Sequence, residues 1–203
     1  MSVHDSALNP AVSSPPPAQL MSGHEPIGGT GATIRDFWAW TLSDLRTNTV
    51  RPMLAEFLVA RALGAHHHPR IEWDACDVRT DDGIRVEVKS AAYLQAWAQV
   101  KPSNITFAGL SARTWTPEAG YSVAGSYNAD VYVFGLQTAT DHAEYDALNL
   151  NQWSFWVLPR SVVEATGQRS LSLARVQELS ERSLTYAELA HRVRAAAEGR
   201  PPG

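Results

Sequence analysis

A carboxylate and an ammonium group lie two positions apart in the stretch Glu87-Val88-Lys89. Residues two apart in a β-strand point to the same face, about 7 Å apart along the strand. The strand is therefore expected to present Glu87 and Lys89 on a polar face, and Val86 and Val88 on an apolar one. An acid beside an amine is a starting point for metal and phosphate chemistry, although an ordinary exposed strand shows the same pattern.

The loop Asp81-Asp82-Gly83 predicts which residue lies opposite Glu87. A three-residue hairpin loop usually combines a type I turn with a left-handed third residue, where glycine is preferred. With this loop Thr80 pairs with Ile84, and Asp77 falls directly opposite Glu87. Two carboxylates within about 5.5 Å repel each other. A hard divalent cation with oxygen ligands between them removes that repulsion.

A two-residue turn at Asp82-Gly83 is the alternative register. It would put Val78 opposite Glu87 and leave Asp74 on the acidic face. We prefer the three-residue loop because its third position suits glycine. The first acid of the candidate site stays open between Asp77 and Asp74.

A third acid, Glu56, is the only charged residue in the apolar run Leu54-Ala55-Glu56-Phe57-Leu58. The run lies in a predicted helix for which Gly64 is a natural stop. Burying a carboxylate is costly unless it is paired or binds a metal ion. Glu56 is therefore expected to have a cationic partner.

The elements around these residues predict an α/β fold. Helices are predicted before the hairpin and in the C-terminal third; strands are predicted over 71–80, 84–90, 105–107, 130–134 and 153–157. Residues 1–32 are rich in Pro, Ser and Gly and predict a disordered tail, which leaves one domain over 33–199. This order predicts a mixed central sheet flanked by helices.

Composition limits the classes of function. The chain has 203 residues and a net charge of −4, which gives no global signature of nucleic-acid binding. No apolar stretch reaches the roughly 18 residues of a membrane helix, so no membrane association is expected. Cys76 is the single cysteine, which suits a reducing cytoplasm. Lys89 is one of two lysines against fifteen arginines.

The motifs resemble a known nuclease superfamily. Asp77, a gap of nine residues and then Glu87-Val88-Lys89 is similar to the motif of the PD-(D/E)XK nucleases, with Cys76 where proline is common. The run around Glu56 is similar to the acid-bearing helix that precedes the hairpin in many members. Residues 33–157 also resemble a group of uncharacterised bacterial proteins assigned to this fold, on Phe37-Trp38-Ala39-Trp40, Tyr93-Leu94-Gln95 and Ala129 to Phe134.

The resemblance implies a restriction-endonuclease-like fold and a metal-dependent endonuclease or phosphodiesterase. Asp77 and Glu87 would hold Mg²⁺ or Mn²⁺, and Glu56 would complete the shell or hold a second ion. Lys89 would orient the attacking water or neutralise charge on the phosphate. Weaker candidates for contacts to nucleic acid are Ser90, Gln95 and Arg113.

The implied substrate is nucleic acid, with DNA as the first choice, in bacterial defence or DNA repair. The alternative is a catalytically inactive nuclease-fold binding module within a larger complex. The net negative charge motivates this alternative, and a protein partner would then supply the basic surface that nucleic acid requires.

Overall fold

The computed structural model describes residues 16, 18–72, 74–111, 115–116, 120–121 and 125–198. Its helices are α1 Ile34–Leu42, α2 Val50–Leu63, α3 Arg160–Ala165, α4 Leu173–Leu179 and α5 Leu189–Ala197. Its strands are β1 Pro26–Ile27, β2 Ala32–Thr33, β3 Val78–Arg79, β4 Arg85–Ala92, β5 Thr106–Ala108, β6 Trp115–Thr116, β7 Gly120–Tyr121, β8 Val131–Gln137, β9 Trp153–Pro159 and β10 Ser170–Ser172. None of the described helices is long and apolar enough to cross a lipid bilayer.

A four-stranded sheet forms the centre of the molecule, in the order β3-β4-β8-β9. Strands β3 and β4 are antiparallel, β4 and β8 parallel, and β8 and β9 antiparallel. Every residue of β8 is buried, as expected for an apolar central strand. The sheet is thus mixed, which confirms the predicted α/β class.

Helices flank the sheet on both faces. One face carries Val86 and Val88 and packs against the apolar residues of α2 and α5. The opposite face carries Tyr132 and Phe134 and packs against α3, α4 and the β5–β10 pair. Because side chains alternate along a strand, Glu87 and Lys89 lie on this second face.

The β3–β4 hairpin has the predicted three-residue loop. The Thr80 N–H donates to the Ile84 carbonyl at 3.0 Å, and the Gly83 N–H donates to the Thr80 carbonyl at 2.8 Å. Gly83 has φ +80°, the left-handed conformation that favours glycine at the third loop position. The register pairs Arg79 with Arg85, so the alternative two-residue turn is wrong.

The strand predicted over 71–80 is much shorter than expected, because β3 contains only Val78 and Arg79. If the antiparallel ladder continued, the Val88 N–H would donate to the backbone of Cys76. It donates instead to Asp77 Oδ2 at 2.7 Å. The Asp77 side chain thus takes the place of the backbone partner. Regular pairing between β3 and β4 therefore reaches no further than the Val78–Val86 pair.

Regular structure also begins earlier than the sequence indicates. Pro26–Ile27 pairs with Ala32–Thr33 inside the segment predicted to be a tail. Gly29 and Gly31 adopt φ +77° and +72°, which lets the chain reverse within four residues. The Glu25 carboxylate accepts from the Ser22 and Gly23 N–H groups at 2.9 Å. The glycine and serine residues that form these turns are also the residue types that predict a disordered segment.

Candidate active site

Lys89 and Glu87 form an ion pair on the central strand β4. Lys89 Nζ lies 2.5 Å from Glu87 Oε1, and the two side chains are only 21% and 18% exposed. The loop after β5 approaches the same ammonium group, since a Cβ built on Gly109 would lie 3.7 Å from Nζ. The pair is therefore enclosed by neighbouring structure, where charges interact more strongly than in bulk water.

Asp77 is fixed beside this pair by its bond to the backbone of β4. Its Oδ2 accepts from the backbone N–H of Val88, the residue between Glu87 and Lys89. Val78 pairs with Val86 in the hairpin. The same register, continued by one residue, sets Asp77 opposite Glu87. The local hairpin therefore brings the first two acids together.

Glu56 comes from the helix side of the molecule. It is 7% exposed in the middle of α2 and forms an ion pair with Arg70, which follows the helix in the chain. Arg70 Nε donates to Glu56 Oε2 in a short contact, and Nη2 lies 3.4 Å from Oε1. The expectation that this buried acid needs a cationic partner is met in this structure by an arginine.

Electrostatics couples Glu56, Asp77 and Glu87, which we call the acidic cluster. Burial raises the pKa of Glu87, the charge of Asp77 raises it further, and Lys89 opposes both. Burial likewise raises the pKa of Glu56; Arg70 opposes this increase, whereas Asp77 adds to it. Three carboxylates thus share one poorly hydrated region in which like charges repel.

This repulsion predicts how stability depends on pH in EDTA. A carboxyl group whose pKa is raised by folding stabilises the protein below its ordinary pKa of 4.5 and loses that contribution as pH rises through the folded value. The melting temperature of wild type is therefore expected to fall, relative to Glu87→Gln, as pH increases above 4.5. Glu25 and Glu188 have pKa values lowered to about 2 and titrate below this window. Calorimetric melting in a pH series measures the difference; parallel curves would contradict the assignment.

The donor chemistry of the acidic cluster fits a hard divalent cation, because Mg²⁺ and Mn²⁺ prefer carboxylate oxygens. Among the described residues, no group of three or more His, Cys, Asp or Glu is already arranged to hold a metal ion. In this structure each carboxylate has another partner: Arg70 for Glu56, the Val88 N–H for Asp77, and Lys89 for Glu87. Side chains would have to turn from these partners toward a metal ion.

Asp74, the competing first acid, lies outside this cluster. It is exposed, accepts from the Ala75 N–H at 2.6 Å and pairs with Arg79 at 3.2 Å. Asp77 raises the pKa of both Glu56 and Glu87, whereas the ion-pair partner of Asp74 is Arg79 on the surface. The structure therefore favours Asp77 as the acid that belongs with Glu87.

The side chains of Ser90 and Gln95, the weaker candidates for contacts to nucleic acid, point into the protein at the end of β4. Ser90 Oγ is buried without a hydrogen-bond partner in the described part of the chain, and strand alternation puts it on the face opposite Lys89. Gln95 is 7% exposed, and its Nε2 donates to the Ala92 carbonyl and Ser103 Oγ, both at 3.1 Å. Gln95 thus links the end of β4 to the segment around Ser103, while Arg113 lies outside the described residues.

Two nearby features were not predicted. The first is Arg70 as the partner of Glu56. The sequence could have indicated it, because Arg70 is the only Lys or Arg between Arg61 and Arg79. A cavity of about 510 Å³ lies beside α2, and Glu56, Arg70 and Asp77 are part of its wall. The cavity gives this side of the acidic cluster access to a ligand.

The chain is similar to a known protein family. A sequence model of the family described as bacteriophage T4 endonuclease IV matches residues 39–175, which is more than half of the chain. The matched range contains the acidic cluster, Lys89 and all four strands of the central sheet. No curated protein matches the chain.

Proposed function

The chain belongs to the bacteriophage T4 endonuclease IV family, a nuclease family, and we propose that it is a metal-dependent endonuclease hydrolysing phosphodiester bonds in DNA. The observation that supports this proposal best is the acidic cluster. Three carboxylates and Lys89 occupy one poorly hydrated site, and two of the acids have raised pKa values. Ionisable groups whose pKa values are perturbed by burial and by specific charges beside a cavity are typical of functional sites.

We also propose that the chain belongs to the PD-(D/E)XK superfamily. The support is the placement of Asp77 just before β3 and of Glu87-Val88-Lys89 on the partner strand β4. The acid-bearing helix α2 packs on this hairpin, and the parallel strand β8 follows it in the sheet. The cofactor expected with this assignment is Mg²⁺ or Mn²⁺.

Asp77, Glu87 and Glu56 would hold the divalent ion. When bound, the ion polarises the scissile phosphate and lowers the pKa of a water molecule. Asp77 contributes a carboxylate that the Val88 N–H already orients toward β4. Glu87 contributes a second carboxylate on the rigid central strand, and the cation relieves the repulsion between the two.

Lys89 has a separate task because its amine cannot bind the metal while it is protonated. Its ammonium group lies next to Glu87 in an enclosed site. There it can hold the attacking water or donate to a phosphate oxygen on which negative charge develops. Such donors are most effective where bulk water is excluded, because the surrounding dielectric is low.

The second candidate function is a catalytically inactive binding module within a larger complex. The net charge of −4 and the pairing of Glu56 and Glu87 with Arg70 and Lys89 favour it. In either case we place the protein in the bacterial cytoplasm, in defence or DNA repair. A protein partner would supply the basic surface, because this chain has no excess of basic residues.

A cleavage assay on the purified full chain tests the proposal. Single- and double-stranded DNA, with RNA as a comparison, are incubated with Mg²⁺ or Mn²⁺, with EDTA, and with EDTA followed by excess Mg²⁺. We expect cleavage of DNA that EDTA abolishes and excess Mg²⁺ restores. Binding of DNA without cleavage by any divalent ion would favour the binding module, and cleavage in EDTA would contradict metal dependence.

A further inference from the structure

Arg70 and a metal ion would compete for the same carboxylate. Arg70 contacts both oxygens of Glu56, through Nε to Oε2 and through Nη2 to Oε1. A guanidinium binds a carboxylate through the oxygens that a divalent cation also requires. Glu56 is 7% exposed, so few other groups can reach it.

The charge in the site changes sign when a divalent ion enters. With all three acids ionised, Lys89 and Arg70 leave the acidic cluster with a net charge of one negative. A divalent ion would make this charge one positive if both basic side chains stayed. Release of one of them restores neutrality, which is the favourable state in a poorly hydrated region.

Arg70 is the basic residue that has room to leave. It lies in the irregular segment 65–72 that follows α2, and its side chain is 39% exposed. Lys89 is anchored on the central strand and is 21% exposed. Arg70 also lines the 510 Å³ cavity, which offers its guanidinium a position away from Glu56.

We propose that Arg70 takes the place of the divalent cation at Glu56 in the metal-free protein, is displaced when the ion binds, and then binds a phosphate of the substrate. This inference rests on the proposed function. In the metal-free state Arg70 holds the buried carboxylate in place through contacts to both of its oxygens. Once released, its planar fork of donors matches the geometry of a phosphate group.

Titration calorimetry with MgCl₂ or MnCl₂ at one fixed pH tests the competition. Arg70→Gln is expected to bind the ion roughly tenfold more tightly than wild type, a factor within the usual range of coupling between two sites. Arg79→Gln is the control, since Arg79 lines the same cavity but pairs with Asp74. It is expected to match wild type. Unchanged or weaker binding in folded Arg70→Gln would overturn the inference.

The two proposals fail in different ways. If wild type binds neither ion, the metal-dependent function fails. If wild type binds an ion, Glu87→Gln abolishes that binding, and Arg70→Gln is unchanged, only the displacement of Arg70 fails.

The Arg70 Nε–H signal in a proton–nitrogen NMR spectrum tests the displacement without relying on the fold of a variant. In EDTA the signal is expected to show slow exchange with solvent, because Nε donates to Glu56. Saturating Mg²⁺ is expected to make the exchange fast. A signal that stays protected in the presence of bound metal overturns the displacement.

Cleavage kinetics at saturating metal test the contact with phosphate. Arg70→Gln is expected to raise the KM for DNA several-fold with a smaller change in kcat, because a phosphate contact away from the reacting atoms contributes mainly to binding. Arg79→Gln is expected to leave KM unchanged. An unchanged KM in Arg70→Gln overturns the phosphate contact.

Discussion

Lys89→Ala is expected to reduce DNA cleavage by about 10²–10³-fold while the protein remains folded, a loss typical of removing one donor that stabilises developing charge. Lys89 supplies the ammonium group beside Glu87, and the chain around it is fixed by pairing of β4 with β8. Without the lysine, the pKa of Glu87 rises further, because Lys89 is the group that opposes the effects of burial and of Asp77. Single-turnover cleavage and a melting curve measure the two effects.

Lys101→Ala is the matched control, because Lys101 is the only other lysine and is exposed. It is expected to cleave at the wild-type rate. Folded Lys89→Ala that retains more than half of the wild-type rate would contradict the role assigned to Lys89. An equal loss in both variants would indicate a general effect of charge on DNA binding.

Asp77→Asn is expected to abolish metal binding and cleavage and yet stabilise the metal-free protein by about 0.5–1 kcal/mol, the size of a cross-strand interaction between charges. The asparagine amide oxygen can still accept from the Val88 N–H, so the hydrogen bond that ends β3 is kept. The negative charge that raises the pKa of Glu56 and Glu87 is lost. Calorimetric titration and urea unfolding in EDTA measure the two quantities.

Asp74→Asn is the control for Asp77, since Asp74 lies three residues away and pairs with Arg79 on the surface. It is expected to bind metal normally and to change stability little, because exposed ion pairs contribute at most about 1 kcal/mol. Normal metal binding in Asp77→Asn together with its loss in Asp74→Asn would reverse the choice between the two acids.

The central hairpin could be predicted because its determinants are local. Asp81-Asp82-Gly83 defines the loop, Gly83 adopts the left-handed conformation, and these two facts set the register from Thr80 to Ile84. The same holds for the end of α2, where Gly64 adopts φ +75°. Because a few adjacent residues determine the geometry of the hairpin, the sequence alone was sufficient to place Asp77 near Glu87.

Other parts of the site depend on contacts between distant segments. Glu56 was expected to have a cationic partner, but its pairing with Arg70 spans 14 residues of chain and follows from the path of an irregular loop. The strand predicted over 71–80 begins only at Val78, because the Asp77 side chain accepts from the Val88 N–H in place of the backbone. Neither composition nor periodicity contains these tertiary contacts.

Ser90 and Gln95 show a related limit. Both follow the candidate motif closely in sequence, which suggested a contact with nucleic acid. Ser90 lies on the opposite face of β4, and Gln95 is turned inward to bind the loop around Ser103. Proximity in sequence to a candidate site does not determine the direction of a side chain.

A crystal of the protein soaked in MnCl₂ and recorded near the manganese absorption edge tests the central claim most directly. We predict an anomalous peak bounded by carboxylate oxygens of Asp77 and Glu87 at about 2.0–2.3 Å, with Arg70 withdrawn from Glu56. A fully soaked crystal with no peak between Asp77 and Glu87, or with the metal bound only elsewhere, would contradict the account.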